Sequence, residues 1–417
     1  MKRYETYKDS GIQWVGEIPS HWEIVKLRYT GTFENGLTYS TGDIVEDDGI
    51  LVLRSSNIQN EHITFDDCVY VNSVPKELMV SKGDIIICSR NGSAALIGKC
   101  AIIEDNVKAS FGAFMMRYRA NINNKYAFYL FLSAIANYRG LFSTSTINQL
   151  TMSIINQMQV ALPSDTEQKN IATYLDRKVS QIDATIAEKE QMLEDLKAYR
   201  SAIVSEAVTK GLDKNVEMKD SGIEWCREIP KHWNVQKIKF LSNMLSGTNL
   251  TSEQILEEGL YPVYGGNGIR GYYNDFNTEG TRVLVGRQGA LCGNVNLASG
   301  KFWATEHAVV CHPIQYYDSD WFSALLETMN LNQYSQSAAQ PGLSVEKIKN
   351  LSIPIPPITE QVRIGVFIKK QKELISSSLC EIESQINDLK SYKSTLITEA
   401  VTGKIDLRDW KPKEEKV

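Results

Sequence analysis

Residues 9–22 read DSGIQWVGEIPSHW, and residues 220–233 read DSGIEWCREIPKHW. Ten of the fourteen positions are identical, including two tryptophans and a proline at fixed spacing. A chain that repeats such a motif must contain two copies of one structural unit. The repeat extends further. Residues 167–213 begin EQKNIATYLDRK and end SEAVTKGLD, while residues 360–406 begin EQVRIGVFIKKQ and end TEAVTGKID. The proline-bounded apolar runs VALPSDT and SIPIPPIT precede them. Each half therefore reads as tryptophan motif, long variable stretch, then helix. The stretches between, about 30–160 and 241–353, share little sequence.

Both terminal segments of the repeat carry a seven-residue apolar period. In the first, Leu175, Ile182, Lys189, Leu196 and Ile203 form one line, and Val179, Ile186, Leu193, Arg200 and Ala207 the other. In the second the lines are Ile368, Ile375, Ile382, Leu389 and Leu396, and Lys372, Leu379, Ile386, Lys393 and Ala400. Five heptads of this kind predict a coiled coil, formed by the two helices or with another chain. Ser164 and Glu167 have capping-box spacing, and Gly211 and Gly403 stand where glycine ends a helix. About 40 helical residues make a rod of roughly 60 Å, so the pair reads as a spacer.

The variable stretches read as mixed α/β. Short apolar runs such as GILVLRSSNI (49–58), GDIIICSRNG (83–92) and TRVLVGRQG (281–289) end in Gly, Asn and Ser. More helical segments follow at 123–138 and 316–330. The predicted division is 1–160, first α/β domain with the tryptophan motif; 161–213, central helix; 214–353, second α/β domain; 354–406, C-terminal helix; and 407–417, charged tail. At 417 residues, two to four domains are expected. No apolar run is long enough to cross a membrane, and the polar start MKRYETYKDSG predicts no signal peptide. Seven scattered cysteines suit a reducing cytoplasm, and a net charge of −5 argues against a protein coated in nucleic acid while leaving room for a local basic face.

Motifs that suggest catalysis fail on their context. Gly266–Gly271 matches the dinucleotide pattern G-x-G-x-x-G, but YYNDFNTEG follows and cannot open a helix. GSAALIGKC (92–100) has the wrong glycine spacing for a phosphate loop and Cys100 in place of Ser or Thr. Asp195-Leu196-Lys197 and Asp388-Leu389-Lys390 resemble a nuclease tripeptide but fall inside the heptads. The five histidines lack metal-ligand spacing. What remains is polar chemistry at strand ends: Arg54, Ser55, Asn57, Arg90, Asn91 and Lys99 in the first half, and Tyr264, Asn267, Arg270, Arg287 and Gln288 in the second. Arginine reads guanine, and asparagine or glutamine reads adenine, so these are candidate DNA-contacting residues. The R-x-G turns at Arg90-Asn91-Gly92 and Arg287-Gln288-Gly289 occur in both inserts.

Taken together, the twice-used SGIxWxxEIPxHW, the P-x-x-x-E-Q helix start (Pro163 to Gln168, Pro356 to Gln361) and the EAVT helix end resemble the specificity subunits of type I restriction-modification systems. The resemblance covers essentially the whole chain. It implies two α/β target recognition domains, each reading half of a bipartite site on double-stranded DNA. They would be joined by two long helices in an antiparallel coiled coil with pseudo-twofold symmetry. It implies a non-catalytic chain that docks two modification subunits and works with restriction subunits. S-adenosylmethionine, ATP and magnesium would sit on those partners, with no cofactor or metal on this chain. Trp14, Trp22, Trp225 and Trp233 are expected as packing anchors where each domain meets the helices. The alternative is a bivalent, non-DNA scaffold carrying two ligand-binding domains on the same spacer.

Overall fold

The computed structural model describes residues 2–46, 49–138, 149–289, 291–335 and 342–411. The chain forms two compact units, Met1–Glu188 with Gln385–Val417, and Lys189–Ser384. Two long helices run through both, α2 (Asp165–Lys210) and α4 (Ile358–Val401). In unit 1 the Lys393 ammonium of α4 lies 2.9 Å from Asp183 of α2. In unit 2, Val204, Ala207 and Val208 of α2 share one core with Ile364 and Ile368 of α4. The early part of each helix thus meets the late part of the other, and the pair is antiparallel. The predicted seam residues Leu175, Val179, Ile182, Ile186, Leu193, Ile368, Ile375, Ile382, Ile386 and Leu396 are buried, and Leu196, Ile203, Leu379 and Leu389 are half-buried. Continuous apolar seams of this length stabilise the helices by burial, more than their intrinsic propensity could.

Unit 1 contains β1 (Gly31–Asn35), β2 (Ile50–Leu53), β3 (Tyr70–Val71), β4 (Ile85–Cys88), β5 (Cys100–Ile102), β6 (Ala109–Phe111), β7 (Met115–Ala120) and α1 (Asn124–Tyr138). One sheet has the order β5-β4-β7-β1; in the other, β2 pairs parallel with β6 and antiparallel with β3. Unit 2 contains β8 (Ser242–Ser246), β9 (Tyr261–Gly265), β10 (Gly268–Tyr273), β11 (Arg282–Gly286), β12 (Val295–Ala298), β13 (Lys301–Ala304), β14 (Ala308–Pro313) and α3 (Ser319–Thr328). Its sheets run β12-β11-β14-β8, and β9 parallel to β13 and antiparallel to β10. The two inserts, so different in sequence, share one strand plan.

The hydrogen-bond register makes the match residue by residue. Leu37 N–H donates to Phe111 O and Gly112 N–H to Leu53 O; correspondingly, Thr248 N–H donates to Ala304 O and Thr305 N–H to Tyr264 O. The offset is therefore 211 at Leu53 and Tyr264, as in the tryptophan motif, and 193 at Phe111 and Ala304, as in the helices. All the extra length of the first insert lies between β2 and β6, where the hairpin Ile58–Gln59 with His62–Ile63 sits. Gly36 and Gly247 mark the same crossing. A Cβ on Gly36 would meet Gly112 O, and one on Gly247 would meet Ala304 O, each far inside contact distance. Only glycine allows that backbone approach.

The repeated frame residues explain themselves in pairs. Trp22 and Trp233 are fully buried, and their indole N–H groups donate to Glu167 and Glu360, in the first turns of α2 and α4. His21 and His232 hold the same two carboxylates. The neighbouring Gln168 and Gln361 accept from the backbone N–H of Asn123 and Asp318, at the starts of α1 and α3. Their carboxamide N–H groups donate back to Pro163 O and Pro356 O. The P-x-x-x-E-Q spacing thus ties tryptophan motif, insert helix and long helix into one joint. Trp14 and Trp225 are half-buried, with Trp14 edge-on to Tyr138 and Trp225 against the unit 2 core. All seven cysteines are free thiols. Among the described residues no helix is long and apolar enough to cross a membrane.

Candidate nucleic-acid interface

In each unit the polar candidates gather where loops leave the sheet ends. The first loop of unit 1 follows β2. Arg54 is half-buried and ion-paired to Asp67 at 2.7 Å. Ser55 accepts a hydrogen bond from the Asn91 carboxamide at 3.3 Å, which laces this loop to the one after β4. Asn57 differs from the expectation for a contact residue. It is fully buried, with its carboxamide bonded to Arg54 N–H, Thr64 O and Asp67 O. A side chain spent in this way shapes the loop and does not face solvent.

The loop after β4 presents Arg90, which is exposed. Its guanidinium donates to Gln149 Oε1 at 2.8 Å and lies 5.8 Å from the centre of the Phe114 ring. Gln149 comes from the far end of the insert, and Phe114 is 60% exposed. Neither was among the sequence candidates. Nothing local in the sequence pairs them with Arg90; the pairing comes from strand order. Lys99 is half-buried at the start of β5, across the same loop.

In unit 2 the segment Gly266–Gly271 forms the turn and second strand of the hairpin β9–β10, not a loop opening a helix. Asn267 in that turn accepts a hydrogen bond from Asn294. Arg270 is exposed, with its alkyl stem against Gly265. Tyr264 packs edge-on to Phe302 at 5.3 Å, and burial pushes its phenol up from its ordinary pKa; it belongs to the core edge. Arg287 and Gln288 are exposed after β11, with Arg287 donating to Ser246 Oγ at 3.2 Å. Together with Ser246 and Ser344–Glu346 they line an open groove of about 670 Å³.

The two R-x-G turns occupy the same loop but not the same register. Leu150 N–H donates to Ser89 O and Leu343 N–H to Arg287 O, while Phe114 O accepts from both Ser89 and Arg90 N–H and His307 O from Arg287 N–H. The counterpart of Arg287 is thus the buried Ser89, and that of Arg90 is Gln288. Sequence matching aligned the arginines; the backbone displaces them by one residue.

What the arrangement offers is two polar, glycine-bearing loop clusters carried on the sheet ends. Comparison with known proteins then places the chain. The family model described as the type I restriction modification DNA specificity domain matches residues 19–195 and 230–388. The chain belongs to that family. The two matched segments correspond to the two units' inserts, each with part of a long helix. Among relatives of this family, the EcoprrI specificity subunit of Escherichia coli is 39% identical over 163 residues, 38% of this chain and 40% of that one. The EcoKI specificity subunit of Escherichia coli K12 is 24% identical over 434 residues, covering 93% of this chain and 89% of the relative. Two solved structures share the fold at 14% identity. One, from work on complex assembly and conformational transition of the type I R-M system, has a TM-score of 0.71 and covers 93% of this chain and 99% of its own. The other, the HsdS subunit from Thermoanaerobacter tengcongensis, has a TM-score of 0.50 over 93% and 98%.

Proposed function

We propose that this specificity-family chain reads DNA sequence for a type I restriction-modification complex, each recognition domain taking one half of a bipartite site. The observation that carries this is the pair of inserts. They share a strand plan and loop positions yet differ in almost every loop side chain. That is how one scaffold presents two different sequence readers. The loop residues Arg54, Ser55, Arg90, Asn91 and Lys99 of unit 1, with Asn267, Arg270, Arg287 and Gln288 of unit 2, form the proposed contact set. Asn57 is excluded from it by burial, and Tyr264 contributes mainly through packing.

The chain itself is non-catalytic on this reading. Two modification subunits dock on the helices and their surroundings and bring S-adenosylmethionine, and restriction subunits bring ATP and magnesium chemistry. The free thiols suit a cytoplasmic complex.

A titration of DNA affinity against salt tests the reading. Arginine and lysine contacts to phosphates release counterions, so log K should fall linearly and steeply with log salt. Affinity that ignores salt would favour a scaffold for a different ligand. The purified chain with S-adenosylmethionine should leave DNA unmethylated.

A further inference from the structure

We propose that Arg90 and Gln288 occupy one base-reading slot, used twice, in which Arg90 selects guanine in one half-site and Gln288 selects adenine in the other. The proposal rests on the DNA-specificity reading above and names residues within it.

Backbone geometry defines the slot. Arg90 bridges antiparallel to Gln149 and Gln288 to Gly342, each one residue beyond the paired Ser89 and Arg287. Both stand two residues past the ends of the equivalent strands β4 and β11, whose last residues Cys88 and Gly286 pair with Met115 and Ala308. Phe114 O accepts from both Ser89 N–H and Arg90 N–H, so the chain is bulged there and strand alternation does not set the side-chain directions. The correspondence comes from the pairings: Arg90 and Gln288 hold the same bridge position, and Arg287 holds that of Ser89. The contacts agree. Ser89 Oγ turns back to Phe114 O, and Arg287 turns to Ser246 of its own sheet.

The chemistry distinguishes base from backbone contact. The Arg90 guanidinium donates one N–H to Gln149 and lies near the Phe114 ring, and its remaining N–H groups bond no described residue. A fixed fork suits guanine O6 and N7 and would equally clamp a phosphate, so the second copy decides between them. In the second copy the slot holds a neutral glutamine. It adds no charge for a phosphate, but its carboxamide matches adenine N6 and N7. That carboxamide is exposed and bonds no described residue.

The test uses the full chain co-expressed with its modification subunits, with methylated sites mapped genome-wide. Wild type should yield a bipartite motif; its absence would sink the DNA-specificity reading itself. Arg90→Gln should shift or relax one guanine in one half-site, changing preference there roughly tenfold or more. Gln288→Arg should convert one adenine in the other half-site toward guanine. Arg90→Lys, which keeps the charge and loses the fork, should relax the same guanine. Wild-type motifs in both exchange variants overturn the slot. So do changes by both variants in a single half-site, or full rescue of the guanine by Arg90→Lys. Loss of all methylation by both folded variants overturns it too, since it assigns these side chains to backbone anchoring.

Discussion

The indole N–H of Trp22 donates to Glu167 Oε1 at 3.2 Å, while the far edge of the same ring would lie 3.2 Å from a Cβ placed on Gly403. One side chain thus fastens the start of α2 and the end of α4. Trp233 does the same for Glu360 and Gly211 in the other unit. Each tryptophan motif closes a ring of helix start and helix end, which accounts for both copies of the motif.

Glu167→Ala should destabilise unit 1 by about 1–3 kcal/mol, because the buried Trp22 indole N–H loses its acceptor. Burial pushes the Glu167 carboxyl up, but hydrogen bonds from His21, Ser164 and Trp22 leave it below its ordinary pKa. A carboxyl depressed in the folded state contributes stability above its unfolded pKa and loses it as pH falls through the folded value. The urea midpoint of wild type should therefore drop on the acid side of the carboxylate range, and Glu167→Ala should flatten that drop. Equal acid sensitivity in the two proteins would contradict the clamp.

The two helix-ending glycines should differ in tolerance. Gly211 and Gly403 have φ of 76° and 73°, so alanine is strained at both, by about 1 kcal/mol. At Gly211 the new Cβ meets Trp233 at 3.2 Å, but at Gly403 it meets Pro19 at 2.3 Å. Gly403→Ala should lower the denaturation midpoint clearly more than Gly211→Ala. The reverse order would mean that Pro19 moves freely.

Lys393 joins the two helices and the insert hairpin, at 2.9 Å from Asp183 and 2.7 Å from Glu61. Burial lowers its pKa, but Glu61 and Asp183 together raise it above the usual lysine range. The stabilisation is therefore present at neutral pH and lost only as pH rises through that raised value. A double-mutant cycle of Glu61→Ala and Lys393→Ala should give a coupling of about 1 kcal/mol. Additive effects would show that the hairpin is held without this ion pair.

The chain ends are joined by structure. Asp406 N–H donates to Lys2 O at 2.9 Å, and Tyr7 Oη donates to Gly403 O. Residues 214, 215 and 217, by contrast, are exposed between α2 and the second tryptophan motif. A permutant with a short linker across the ends and new termini at 214–218 should stay soluble and keep the parent's DNA affinity. Insolubility of the permutant beside a soluble parent would count against the pseudo-cyclic design.

The frame was readable in the sequence because it is written twice. The repeat exposed Trp22 and Trp233, and the heptads exposed the seam from Leu175 to Leu396. The kinship of the inserts was hidden, because a sheet is specified by alternation and backbone pairing, and Leu53 can replace Tyr264 without altering either. Gly36 and Gly247 did hold the signal, at the motif's own offset, as a matched pair whose backbone contact forbids variation. The loops were legible as chemistry but not as geometry. Matching Arg90 to Arg287 misses a one-residue shift that the hydrogen bonds from Leu150 N–H to Ser89 O and from Leu343 N–H to Arg287 O disclose. Gln149 and Phe114 could not be joined to Arg90 without strand order.

Unit 2 is one continuous span, Lys189–Ser384, but unit 1 needs Gln385–Val417 to complete it. On the ribosome, the insert translated first must therefore wait for the other to finish. Through that interval Leu175, Val179, Ile182 and Ile186 of α2, buried in the finished protein, lack the C-terminal part of their own unit. A nascent chain stopped at 384 would carry a finished second reader and an open seam at the first. Premature termination in the last heptads therefore yields a sticky fragment rather than a half-specific protein.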